Sequence, residues 1–224
     1  MPTEVSLMEM LDARERRVQR QRVLLEQYHR PLICFTMNIC GPVKDSPLIR
    51  RGFARGQQLL WQQFFRAGLS PLHQESCCGP TGCEAFYVLD ADPLTIKKLT
   101  TDIEDATPLG RLYDMDVLRP DGRKVDREEL HLEGRKCLIC GGPAKVCSSR
   151  RVHTVAQLQE KTTAILTDTL TALDAAAAAQ QAVRAILYEV ATTPKPGLVD
   201  RCNSGSHTDM NFFTFMDSAA SLYP

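Results

Sequence analysis

The chain has 224 residues, 27 Lys+Arg against 27 Asp+Glu for a formal charge of zero, 43% hydrophobic residues and nine cysteines. That length holds one domain, or one and a fraction, with a sizeable core, and the apolar content excludes disorder for most of it. No uncharged apolar run approaches the roughly 20 residues that span a bilayer, and Glu4, Glu9 and Asp12 interrupt any signal-peptide core, so an integral membrane protein is excluded and the expected address is cytoplasmic.

The zero charge is a cancellation. Residues 14–66 carry 11 Lys/Arg and 3 Asp/Glu, a balance of +8, and residues 67–134 carry 7 Lys/Arg and 14 Asp/Glu, a balance of −7. Either the two segments form one surface for anions and one for cations, or they are solvated faces of opposite sign. An aromatic content of 6% gives the basic segment no stacking platform, so nucleic acid is not an expected partner.

In chain order, residues 7–28 read as an amphipathic helix with Leu7, Leu11, Val18, Leu25 and Tyr28 on one face and a flank of arginines. Arg30-Pro31 breaks it, and residues 32–39 (LICFTMNI) read as a buried strand. A second helix over 48–65 places Ile49, Phe53, Leu60 and Phe64 at helical spacing. The cysteines Cys77, Cys78 and Cys83 flank Gly79-Pro80-Thr81-Gly82, which reads as a turn before a strand at 85–89. Asp92-Pro93 opens a helix that Pro108 stops, 112–118 (LYDMDVL) is a third strand, and Pro120-Asp121-Gly122 turns the chain back. Residues 154–192, free of Gly and Pro, are helical, as one long helix, two helices or a linker. The expected fold class is α+β, a mixed domain with a short central sheet and flanking helices, followed by a helical C-terminal segment.

Two constellations carry chemistry. On a strand, Asp114 and Asp116 share a face while Met115 and Val117 point into the core. Two like charges side by side repel, and a Mg²⁺ or Mn²⁺ ion completed by substrate phosphates removes the conflict. The alternative is a solvent-facing strand edge whose aspartates deter aggregation. Arg111 precedes the pair, and Lys44 sits in the loop after the first strand; both are candidates for binding substrate phosphate. The second constellation is Cys137, Cys140, Cys147 and His153, spaced C-x2-C-x6-C-x5-H, a candidate structural zinc set with all four positions filled. The alternative there is small core cysteines beside an incidental histidine.

Taken together, FTMNICGPVKDS (35–46), TPLGRLYDMDVL (107–118) and RKCLICGGPAKVCSSRRVH (135–153) resemble the apo-citrate lyase phosphoribosyl-dephospho-CoA transferase family, also called holo-citrate lyase synthase, over roughly residues 14–160. The resemblance implies transfer of a phosphoribosyl-dephospho-CoA group from its triphosphate precursor, triphosphoribosyl-dephospho-CoA, to a serine of the citrate lyase acyl carrier (gamma) subunit, with pyrophosphate released. It casts Asp114 and Asp116 as catalytic metal ligands and Arg111 or Lys44 as groups that offset phosphate charge. Residues 193–224 resemble the opening of triphosphoribosyl-dephospho-CoA synthase, with His207 and Asp209 at matching positions. The expected organisation is therefore a transferase domain over 1–155, a helical connector over 156–192 and an incomplete second unit over 193–224. The rival class is a non-catalytic zinc-knuckle adaptor that binds a protein partner through its long helix.

Overall fold

The computed structural model describes residues 3–192. A compact unit extends through Ala179, and a second unit begins at Gln180. The expected tail with His207 and Asp209 lies outside the described residues.

Helix α1 (Leu7–Tyr28) starts at a capping box in which Ser6 and Glu9 satisfy each other's backbone N–H groups, and it ends on His29 in the left-handed region. Strand β1 (Leu32–Met37) follows, then helix α2 (Pro47–Arg66), which Ser46 caps with Pro47 in the first turn. Strands β2 (Pro71–Gly79) and β3 (Gly82–Leu89) form a hairpin closed by a Cys78–Cys83 disulfide. The expected turn is present, but the cysteines belong to the strands that enter and leave it. Helix α3 (Pro93–Ala106), capped by Asp92, leads through a 3-10 turn at Gly110–Leu112 into strand β4 (Tyr113–Leu118). A short helix α4 (Ala144–Ser149) and the long helix α5 (Val155–Thr192) complete the described chain.

The four strands form one antiparallel sheet in the order β2-β3-β1-β4. The fold class is α+β with a helical C-terminal segment. Register sorts residues by face, since alternate residues point opposite ways. One face presents Ile33, Phe35, Ala85, Tyr87, Leu89, Tyr113, Met115 and Val117 to α2, α3 and the first part of α5. Phe35 stacks on Phe53 of α2 at 4.5 Å and meets Tyr113 edge-on at 5.4 Å, and Tyr113 Oη donates to the Gly52 carbonyl at 3.1 Å. From α5, Ile165, Leu166 and Leu170 are buried and Asp174 pairs with Arg51 at 2.6 Å. The first turns of this helix thus pack as part of the body.

The other face carries Leu32, Cys34, Phe86, Val88 and Leu118 under Leu24, Leu25 and Tyr28 of α1. The apolar stripe expected on α1 is corrected here. Leu25 and Tyr28 pack on the sheet, but Leu7, Leu11 and Val18 are exposed, and arginines of the flank meet the sheet as well. Arg17 bonds Glu84 at 2.7 Å, Arg20 holds Glu75 at 2.5 Å, and Arg30 reaches Asp90 at 2.7 Å. The basic and acidic stretches of sequence therefore neutralise each other across one interface, and the segregation seen along the chain is partly dissolved by folding.

Strand β4 is an edge, and an edge leaves backbone groups that need partners. The Met115 N–H donates to Glu104 Oε1 at 2.8 Å, and Lys97 Nζ donates to the Met115 carbonyl at 3.4 Å. The returning chain adds Val125 N–H to the Val117 carbonyl at 2.8 Å. Gly110 is required by close approach: a Cβ there would stand 2.3 Å from the Ile103 carbonyl oxygen, so the turn into β4 packs backbone to backbone on the end of α3.

Candidate functional site

Asp114 and Asp116 are half-buried on the α1 face of β4, alternating with fully buried Met115 and Val117. In register they lie across from Thr36 and Cys34, and beyond those stand Glu84 and Phe86. The face is apolar at the Leu32 end and ionised at the Thr36 end. Burial, followed by the neighbouring Asp116 charge, pushes the Asp114 carboxyl above the ordinary carboxylate range. Cys34, buried beside Asp116, has its thiol pushed up to about 12, chiefly by burial, so it is not a nucleophile at neutral pH.

Two cations answer the pair. Lys124 Nζ lies 2.5 Å from Asp116 Oδ1; burial is the largest single influence and opposes its charge, but this bond together with the charges of Asp116, Asp114 and Asp126 outweighs it and raises the ammonium pKa. Arg135 stands 3.8 Å from Asp114, donates to the Tyr113 carbonyl at 2.8 Å and is in contact with Glu104. Glu104, 1% exposed, is the hub: it receives the Met115 amide, Arg135 and, at 2.9 Å, Arg127. Through that buried carboxylate the loop after β4 is anchored to α3 and to the strand that bears the aspartates.

The result is a cleft of about 840 Å³ whose floor includes Asp114 and Asp116 and whose walls include Lys124, Arg127, Arg135, Lys136 and Lys145. A smaller pocket of about 160 Å³ meets it at Asp114, lined among others by Arg14, Arg17, Asn38, Lys44 and Thr81. Lys44, whose pKa is lowered by burial, donates to the Ile39 carbonyl at 2.5 Å. The structure thus brings Lys44 to Asp114. It does not bring Arg111 to either cavity: Arg111 bonds Asp105 at 3.3 Å and the Lys136 carbonyl at 2.5 Å, a brace between α3 and the segment before the first cluster cysteine.

Lys124, Arg135 and Glu104 escaped the sequence reading. Lys124 had a signal: the Pro120-Asp121-Gly122 turn reverses the chain, and an antiparallel bridge sets Lys124 against Leu118, on the same face as Asp116. Arg135 had none, because 18 intervening residues separate it from Asp116 and only folding places it.

Cys137, Cys140, Cys147 and His153 also converge, with their ligand atoms all within 4.8 Å of one another. They alternate along the chain with Gly141, Pro143, Ala144, Lys145, Ser148 and Ser149, which line the outer wall of the cleft.

Half-buried carboxylates flanked by lysines and arginines in an open cleft are the makings of an enzyme, and kinship places this one among the transferases. The chain belongs to the apo-citrate lyase phosphoribosyl-dephospho-CoA transferase family, CitX, which residues 5–169 match. Residues 175–224 match CitG, ATP:dephospho-CoA triphosphoribosyl transferase. The chain is 36% identical over 164 residues to the apo-citrate lyase phosphoribosyl-dephospho-CoA transferase of Citrobacter koseri, covering 73% of this chain and 90% of that one. It is 35% identical over 222 residues to the CitXG protein of Haemophilus influenzae, covering 99% of this chain and 47% of the relative. To CitXG of Leuconostoc mesenteroides subsp. cremoris it is 31% identical over 236 residues, covering 98% and 49%. The chain spans about half the length of the CitXG proteins it matches. This kinship does not favour the adaptor reading. No helix among the described residues is long and apolar enough to cross a membrane.

Proposed function

We propose that this chain transfers the phosphoribosyl-dephospho-CoA group of triphosphoribosyl-dephospho-CoA to a serine hydroxyl of the apo-citrate lyase acyl carrier subunit, releasing pyrophosphate. The observation that carries the reading is the half-buried pair Asp114 and Asp116 on the floor of a cation-walled cleft, in a chain of this family. The serine Oγ forms a bond to the phosphorus that adjoins the ribose, the bond from that phosphorus to the pyrophosphate oxygen breaks, and the hydroxyl proton leaves to a base.

Asp114 is the residue for that base. Its raised pKa makes it a better proton acceptor than an ordinary carboxylate. Lys124 and Arg135 orient the two carboxylates. Lys44, Arg14 and Arg17 line the adjoining pocket, where they offset charge on one end of the triphosphate, and Lys136 and Lys145 do so along the cleft. The two carboxylates fit a divalent cation in their donor chemistry, because their hard oxygens share one face of β4. Bound there, Mg²⁺ or Mn²⁺ would neutralise the charge that develops on the departing pyrophosphate. Arg111 supports the site from outside it, through Lys136. The setting proposed for this reaction is the cytoplasm.

The test is incubation of the full chain with apo-carrier, precursor and Mg²⁺, followed by intact mass of the carrier. A gain equal to the prosthetic group, lost on Asp116→Asn, supports the proposal; an unmodified carrier overturns it.

A further inference from the structure

The cysteine cluster is built more completely than plain burial requires. Cys137 and Cys140 sit on a tight turn closed by Cys137 N–H to the Gly142 carbonyl at 2.6 Å and Gly141 N–H to the Cys137 carbonyl at 3.1 Å, with Gly141 at φ +72°. That left-handed φ is one a side chain would resist. The backbone N–H groups of Ile139 and Cys140 donate to the Cys137 sulfur. These are the contacts a thiolate ligand receives from the turn that carries it. Cys147 comes from α4, its sulfur 3.5 Å from that of Cys140. His153 arrives from beyond the left-handed Arg151, and its Nε2 is buried with no hydrogen-bond partner.

A buried imidazole nitrogen without a partner costs free energy unless something accepts or donates there. Here the missing partner has a location, because Nε2 or Nδ1 and three sulfurs fall within 4.8 Å of one another. Three soft sulfurs and one imidazole at that separation match a tetrahedral ion, with ligand bonds of about 2.3 Å to sulfur and about 2.0 Å to nitrogen. A core-cysteine reading explains none of this: Cys140 is exposed and Cys137 and Cys147 are only part-buried.

We propose that Cys137, Cys140, Cys147 and His153 bind one structural Zn²⁺, and that the ion holds residues 136–149 as the outer wall of the cleft. Four protein ligands leave no position for water, so the ion takes no part in chemistry. Its contribution is mechanical. Beyond the ends of this segment, residues 134–153 have only the α4 turn and one isolated bridge, Lys136 with Pro143, as regular structure, and no residue of that stretch is fully buried. A segment with so little apolar burial needs a cross-link to keep Lys136 and Lys145 aimed at the cleft.

The zinc claim rests on the ligands alone, so it stands or falls separately from the transfer reaction. Full-length protein purified without added zinc is expected to contain one zinc per chain by elemental analysis. Replacement with Co²⁺ should give thiolate charge-transfer and tetrahedral d–d absorption. Cys140→Ser should lose the metal, His153→Cys should keep it, and Cys77→Ser, outside the cluster, should change nothing. Stripping the metal with a chelator should raise tryptic cleavage at Lys136, Lys145, Arg150 and Arg151 on the order of tenfold or more, while α1 to β4 stays resistant. Metal-free thiols in fresh protein, or a Cys140–Cys147 disulfide found by mass, would overturn the site. Cleavage that ignores the chelator would overturn the wall.

Discussion

The two faces of the sheet use the same strand for opposite purposes. Odd-numbered Tyr113, Met115 and Val117 are fully buried against α2 and α3, and even-numbered Asp114 and Asp116 are half-buried over an open cleft. A single residue step along β4 moves from packing to chemistry. The lesson is that stability and reactivity are separable here by residue parity, which the following substitutions can break or sharpen.

The largest effect is expected from Asp114→Asn and Asp116→Asn, each lowering transfer on the order of a thousandfold with the fold retained. Rates of carrier modification alongside circular dichroism check both halves of the claim. Because the Asp114 carboxyl is raised, the folded state holds its proton more tightly than the unfolded chain. The penalty is absent below the unfolded pKa and complete above the folded one. Asp114→Asn should therefore not lower Tm at neutral pH and should slightly raise it; a clear fall in Tm would contradict the assignment.

On the dry face the pattern inverts. Met115→Ala should cost about 3 kcal/mol of stability by leaving a cavity, with transfer per folded molecule little changed, measured by denaturant unfolding beside kinetics. Glu104→Gln crosses between the faces, since it keeps the amide contact with Met115 but strips charge from Arg127 and Arg135. Breaking a buried pair costs about 3–5 kcal/mol, and partial exposure of the two arginines reduces this to about 2 kcal/mol here. It should also raise KM through the loosened loop.

Smaller still is Lys124→Met. Removing a cation that favours ionised Asp114 should move the rising limb of the pH–rate profile to higher pH, because activity needs Asp114 deprotonated and its pKa would rise further. A shift to lower pH would argue against Asp114 as the base. Arg50→Ala, which removes the partner of Asp45, should leave Tm almost unchanged.

What could be read from the chain follows from what is local. Ser46-Pro47 and Asp92-Pro93 mark the starts of α2 and α3 because capping needs only neighbours in sequence. The parity of Asp114 and Asp116 follows from strand geometry alone. Strand β2 was missed because it is an edge strand with no fully buried residue, so Leu72, Gln74 and Ser76 alternate with His73, Glu75 and Cys77 without an apolar rhythm. The orientation of α1 was misjudged because its leucines suggested a buried stripe, whereas Glu75 and Glu84, distant in sequence, draw its arginines onto the sheet. Lys44 lines a pocket that Asp114 also lines, whereas Arg111 turns to the Lys136 carbonyl, since adjacency in sequence to Asp114 says nothing about the direction of a side chain leaving a 3-10 turn.

The bond from the Met115 amide to Glu104 gives the protein a built-in reporter. This proton lies between the two aspartates in sequence, yet it is held by a side chain rather than by a neighbouring strand. Its exchange with solvent deuterium would time the release of Glu104 from the strand edge, so a single amide resonance could follow the breathing of the cleft before any substrate is added.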